Sequence, residues 1–152
     1  MPVYSVTFSA VAVSAQQDLF EVVAPSAGIV IIHGYELFQT SDHGDAQAEG
    51  LQLLWIRGHT TSGSGGSSAT PVKQNTIDAA ASSTCEANNT TIASAGTTTT
   101  YLGGGWNVQG GAEKWWTPET RPVLRNAERG VLRMSAPADA ITLSGTLYIE
   151  EW

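Results

Sequence analysis

From Ile141 to Glu150 the chain alternates strictly. Ile141, Leu143, Leu147 and Ile149 share one parity, and Thr142, Ser144, Thr146, Tyr148 and Glu150 share the other. A helix repeats its apolar residues every three or four positions, so a period of two places the aliphatic set on one face of a β-strand. A strand with one apolar face must bury it against a second layer, and this segment therefore commits the chain to packed sheets. Gly145 breaks the apolar set at an inward position, where it marks a bulge or the close approach of another chain.

The first half has the same character. Between Val3 and Ser14, Tyr4, Val6 and Phe8 alternate with Ser5, Thr7 and Ser9. Asp18 to Val23 reads as a second strand, stopped by the turn residues Ala24-Pro25-Ser26-Ala27-Gly28. Gly28 to Gln39 reads as a third, with Ile29, Ile31, Tyr35 and Leu37 on one face. Leu51 to His59 gives a fourth. Its consecutive Leu53, Leu54, Trp55 and Ile56 imply burial on both faces, by a second layer or by a partner chain. Val131 to Met134 is a short strand, and the turn Ala136-Pro137-Ala138-Asp139 is expected to join it to the last strand as a closing hairpin.

The middle of the chain is less regular. Thr60 to Ala69 is a Gly/Ser/Thr tract, expected to be a flexible loop over residues 60–70. Asn75 to Thr100 has room for one or two polar strands. Two glycine runs, 103–105 and 110–111, bracket Trp106-Asn107-Val108 as a short strand or projecting loop. The nearest approach to a helical turn is Asp45 to Leu54, and Gly50 interrupts it. Short strands, turn signals and no internal repeat predict an all-β chain. The expected fold is a single domain over residues 1–152, a jelly-roll-like antiparallel β-sandwich with long Gly/Ser/Thr-rich loops. The Cys…Trp…Cys pattern of immunoglobulin domains is absent, but strand spacing alone leaves other sandwich topologies open.

A length of 152 residues supports such a core without covalent staples. The single cysteine, Cys85, excludes an intramolecular disulfide and reads as a small buried hydrophobe. Charged residues make up 14% of the chain, against roughly 25% in an ordinary soluble domain, which suits a surface embedded among partners. The net charge is −7 and the arginines are scattered, so nucleic-acid binding through clustered cations is disfavoured. The N-terminus alternates and lacks a basic run, and no apolar stretch reaches membrane-spanning length. It reads as a first strand and not as a signal peptide, and no membrane partner is expected.

No polar cluster outweighs ordinary turn chemistry. Asp42-His43-Gly44-Asp45, with Glu49 nearby, offers oxygen ligands for Ca²⁺ but lacks the spacing of an EF-hand. His33, His43 and His59 match neither a zinc motif nor the His-x-His of a cupin; His33 and His59 read as half-buried sheet residues. Asp18, Glu21, Glu36, Glu113, Glu119, Glu150 and Glu151 supply carboxylates, but no motif singles out a hydrolytic pair. The degenerate Gly-Ser-Gly of residues 63–65 sits in low-complexity sequence and not on a strand-to-helix elbow. The chain is accordingly expected to be no enzyme, with no catalytic, cofactor-binding or metal-binding residues.

The aromatic residues carry more information. Trp115 and Trp116 are adjacent, so on a strand they face opposite ways and on a loop both project. Trp and Tyr are common interface anchors, and the candidates are Tyr4, Trp55, Trp106, Trp115, Trp116 and Trp152. The competing reading is that they plug the ends of the sandwich.

Four passages together resemble a known group. They are QQDLFEVVAPSAGIVIIHGYELFQTSDHGDAQAE, LLWIRGHTTSGSGGSSATPVK, EANNTT followed by WNVQGG, and ERGVLRMSAPADAITLSGTLYIEEW. The chain resembles small jelly-roll proteins encoded among the virion genes of tailed bacteriophages and prophages. The resemblance implies a capsid cement or decoration protein, a homotrimer on the outer capsid surface that clamps copies of the major capsid protein. Such a protein is made in the host bacterial cytoplasm and ends in the virion. The alternative is a receptor- or carbohydrate-binding jelly-roll module of a tail or fibre, with Trp106 and Trp115 or Trp116 as a sugar platform.

Overall fold

The computed structural model describes residues 1–40 and 48–152. Among these, twelve strands form two antiparallel sheets that pack face to face, and no helix is present. The strands are β1 (Val3–Val13), β2 (Gln17–Val23), β3 (Ile29–Gln39), β4 (Gly50–Arg57), β5 (Ser67–Ser68) and β6 (Val72–Lys73). They continue as β7 (Thr84–Asn89), β8 (Thr99–Asn107), β9 (Gly111–Trp115), β10 (Val123–Arg125), β11 (Arg129–Met134) and β12 (Ile141–Glu151). The first sheet runs β10-β3-β12-β1-β6, with β9 also paired to β3; the second runs β5-β7-β2-β11-β4-β8. The chain is an all-β sandwich.

The expected closing hairpin does not form. β11 lies between β2 and β4 in the second sheet, whereas β12 lies between β1 and β3 in the first. The Pro137 turn is thus a crossover between layers. Each C-terminal strand gains two N-terminal neighbours, where a hairpin would have given it only one of its own.

The alternating sets of β1 and β12 meet in the core, where Tyr4, Val6, Leu143, Leu147 and Ile149 are all buried. Gly145 sits opposite Phe8, at the point where a bulge shifts the register of β1. A Cβ on Gly145 would lie 2.6 Å from Leu37 Cδ2 and 2.9 Å from Phe8 Cε1. The glycine therefore makes room for two side chains of its own chain. Phe8 in turn meets Phe20 of the other sheet, with ring centroids 5.1 Å apart.

Strand β3 departs from its expected face pattern. Ile29 and Ile31 do not share a face with Tyr35 and Leu37; the buried set is Val30 and Ile32, then Tyr35, Leu37 and Gln39. The register slips where Ile149 pairs with Ile32 and Tyr148 with Gly34, leaving His33 as the extra residue. One bulged residue flips the parity of all that follows.

The apolar run in β4 is buried on both faces, and its own chain supplies the second cover. Leu51, Leu53 and Trp55 enter the main core, while Ile56 packs outward with Ala93, Val131 and Leu54. The Gly/Ser/Thr tract expected to be flexible is laid onto the second sheet. Thr61 bridges Ser94, Ser64 bridges Thr91, and β5 pairs with β7. At Gly66 a Cβ would come within 2.3 Å of the Ala87 carbonyl oxygen, so only a glycine allows this seating. Of the segment weighed as a helical turn, residues 50–54 belong to β4 and 45–47 lie outside the described residues. The Asp42 to Asp45 loop weighed for Ca²⁺ also lies outside them.

Candidate functional site

The two outer faces of the sandwich differ in chemistry. On the second sheet, β2 turns two buried carboxylates outward, each met by an arginine from neighbouring β11. Arg133 donates from Nε to Asp18 Oδ1 at 2.6 Å and from Nη2 to Oδ2 at 3.1 Å, a bidentate pair. Asp18 Oδ2 also accepts the Ala93 N–H at 2.7 Å, and Arg133 Nη2 donates to the Ala93 carbonyl at 2.9 Å. Glu21 Oε1 accepts from Arg129 Nε and from the Ser62 hydroxyl, both at 2.6 Å. Its Oε2 accepts from the Gly63 N–H at 3.0 Å and from Asn89 Nδ2 at 3.2 Å. These carboxylates are saturated with donors, and each fixes a covering loop to the sheet. Their chemistry is that of a clamp.

The two described histidines are separated, and His43 lies outside the described residues. His33, on the first sheet, bonds Glu150 Oε2 through Nε2 at 2.8 Å. His59 is not a sheet residue, because β4 ends at Arg57 and not at His59; it lies just past the strand, with Nε2 at 3.5 Å from Arg133 Nη2. Burial, and then the Arg133 charge, push the His59 pKa below its ordinary value, so the neutral ring can accept from the guanidinium. Glu151 accepts the backbone N–H groups of Ser82 and Ser83 at 2.7 and 3.1 Å. Cys85 is buried, and desolvation, with the Glu151 charge, pushes its thiol up to about 12. Among the described residues, no three His, Cys, Asp or Glu side chains are grouped to hold a metal ion.

Three of the six aromatic candidates are core residues and not surface anchors. Tyr4 is 1% exposed and its hydroxyl donates to the Ala79 carbonyl; Trp55 is fully buried; Trp106 is buried and donates from Nε1 to the Gly110 carbonyl. Tyr4 and Trp55 share the inward parity of Val6 and Leu53, which decides their direction. Trp115 and Trp116 point to opposite faces, as strand geometry requires. Trp116 is partly buried and packs edge-on against Tyr35 and Trp55 at 5.9 and 6.2 Å. Trp115 stays 47% exposed and Trp152 60% exposed.

Trp115 belongs to a built surface on the outer face of the first sheet. One rung of the sheet runs Trp115, Gly34, Tyr148, Ser5 and Val72 across five strands. A Cβ on Gly34 would lie 2.7 Å from the Trp115 ring, so the indole lies over the glycine. Its far side meets Tyr148, with centroids 4.9 Å apart and planes 32° off parallel. Four residues further along β3, Phe38 lies over Gly111 in the same way and is 48% exposed.

Between these aromatic ridges, Glu36 and Glu113 pair directly across the ladder. Trp115 Nε1 donates to Glu113, and the Tyr148 hydroxyl donates to Glu36 at 3.4 Å. Like charges directly opposite repel, and no described cation forms an ion pair with either. Sequence reasoning missed Phe38 and the partnership of these two glutamates. The parity of Phe38, opposite to Leu37, was its available signal.

No family model matches the chain, and no curated protein or solved structure matches it.

Proposed function

We propose that the chain is a virion structural protein, a capsid cement protein that binds the outer surface of the major capsid protein shell and stabilises it. The observation that carries this reading is the open face of the first sheet, where Trp115, Tyr148 and Phe38 are fixed around an unneutralised glutamate pair. Rigid half-exposed aromatics make good anchors because little side-chain entropy remains to be lost on binding. The facing glutamates call for arginine or lysine from the partner, which would relieve their repulsion and add charge-assisted hydrogen bonds.

The strand orders β1-β12-β3-β9 and β2-β11-β4-β8 support reading the sandwich as a jelly roll, with β5 to β7 as an insertion. N-terminal and C-terminal strands alternate in both sheets, as they do when one long folded ribbon is wrapped into a sandwich. The protein acts by binding, as a homotrimer on the shell, after synthesis in the cytoplasm of the bacterial host. An assembly interface of this kind buries on the order of 2,000 Å² or more, so the aromatic face forms the centre of a larger contact.

Co-sedimentation of the purified chain with shells lacking it tests the reading. The wild type should pellet with the shells, and a variant carrying Trp115→Ala and Phe38→Ala should stay in the supernatant. Equal pelleting of both, or none of the wild type, would remove the case for this face.

A further inference from the structure

A second surface points to a ligand of a different kind, independently of shell binding. Between β8, the outermost strand of the second sheet, and β9, at the edge of the first, the sandwich opens into a groove of about 560 Å³. This falls in the size range of small-ligand sites. Trp116 and Tyr101 supply its aromatic lining, and Lys114, Arg121, Thr120 and Glu119 its polar lining.

The groove holds the exception among the arginines. Arg129 pairs with Glu21 and Arg133 with Asp18, each at 2.6 Å, and Arg57 pairs with Glu128 at 3.5 Å. Arg125 is exposed to solvent. Arg121 is half-buried; its Nε is buried without a hydrogen-bond partner, and no described carboxylate forms an ion pair with it. Lys114 in the same groove has no ion pair either. Two cations thus face one groove with a single carboxylate, Glu119, in a protein of net charge −7. The Arg121 Nε has no surface a ligand could reach, but the two terminal Nη groups are not buried and have no hydrogen-bond partner among the described residues. A half-buried guanidinium without an acceptor costs free energy that a bound anion would return.

We propose that this groove binds a sugar bearing a carboxylate. The two terminal Nη groups of a guanidinium present parallel donors that match the two oxygens of a carboxylate. Trp116 is held edge-on by Tyr35 and Trp55, and Tyr101 is 44% exposed with the Arg57 guanidinium 4.5 Å from its ring centroid. Both rings are pre-positioned, and a pyranose can lay its C–H face on such a ring while its carboxylate reaches Arg121. Thr120 adds a hydroxyl for the sugar's own hydroxyls.

The test titrates the ¹⁵N-labelled full chain with trigalacturonate and follows the Trp116 indole N–H and Arg121 Nε–H signals. Saturable shifts of both are expected. Arg121→Gln should weaken binding about tenfold or more, and Arg121→Lys, which keeps the charge but loses the fork, should weaken it nearly as much. Lys114→Gln should weaken it about threefold, and unshifted signals elsewhere would show that each variant is folded. The methyl ester of the trisaccharide should not bind. Absence of saturable shifts, or unchanged affinity in Arg121→Gln, would overturn the site. Equal affinity for acetate or tetraglutamate would overturn the assignment to a sugar.

Discussion

The outer faces of the two sheets begin from similar strands and end in opposite states. On the second sheet, Asp18 and Glu21 would be costly buried charges, yet each has its own arginine, with the Ala93 N–H added on Asp18 and the Ser62, Gly63 and Asn89 donors on Glu21. The loops around Ser62 and Ala93 are drawn down onto them, and Ile56, Ala93 and Val131 close a small apolar cluster beneath. On the first sheet, Glu36 and Glu113 face each other, with two aromatic donors between them and no ion pair to a cation among the described residues. No loop of the described chain seals Trp115 or Phe38, which remain about half exposed. The contrast teaches that acidity alone does not mark a surface for binding. What marks it is charge and aromatic area left unmatched by the chain itself.

Breaking the clamp on the closed face should have the largest effect. Arg133→Ala leaves Asp18 buried without its cation and should lower stability by about 3–5 kcal/mol in urea unfolding. Replacing the pair together, with Asp18→Leu and Arg133→Met, should cost clearly less. If Arg133→Ala cost no more than a surface substitution, the closed face would not be held by its charges.

Next in size is Gly66→Ala, whose new methyl would strike the Ala87 carbonyl oxygen and lift the tract from the sheet. We expect a loss of about 1–3 kcal/mol and faster amide exchange at Gly63 and Ser64. Unchanged exchange would mean that the tract is not seated by this contact.

On the open face the same scale of change should barely touch folding. Trp115→Ala should cost about 1 kcal/mol of stability, from its contact with Tyr148, while the proposed shell binding should fall about tenfold or more. A large loss of stability with intact binding would reverse the roles assigned to the two faces.

The smallest effect is expected from acid. His59 has a folded pKa below its ordinary 6.5, so in mild acid the unfolded chain takes up more protons than the native one. Its contribution to stability is present above that ordinary value and is lost as pH falls through the folded pKa. His59→Gln should flatten this part of the pH–stability curve, and a variant with the wild-type slope would assign the acid sensitivity elsewhere.

Sequence made some of this contrast legible, in proportion to how local each feature is. The faces of β1 and β12 follow from alternation, and Trp115 and Trp116 part company because neighbours on a strand must. In β3 the same logic failed at His33, because a bulge depends on the partner strand and not on the residues around it. The supposed hairpin of β11 and β12 failed for a related reason: a short turn with a proline serves a crossover as well as a hairpin. The Gly/Ser/Thr tract reads as unstructured by composition. Its anchors are Glu21, Thr91 and Ser94, brought to it by folding from far along the chain. Aromatic identity alone overcounted the surface by Tyr4, Trp55 and Trp106, and it overlooked Phe38 at a solvent-facing parity.

Cryo-electron microscopy of the intact particle addresses the proposed role of the open face most directly. The expected map shows the chain on the outside of the shell, with Trp115, Tyr148 and Phe38 buried against the shell protein and a basic side chain between Glu36 and Glu113. A particle whose shell lacks the chain, or one contacted through the loops over Asp18 and Glu21, would contradict it.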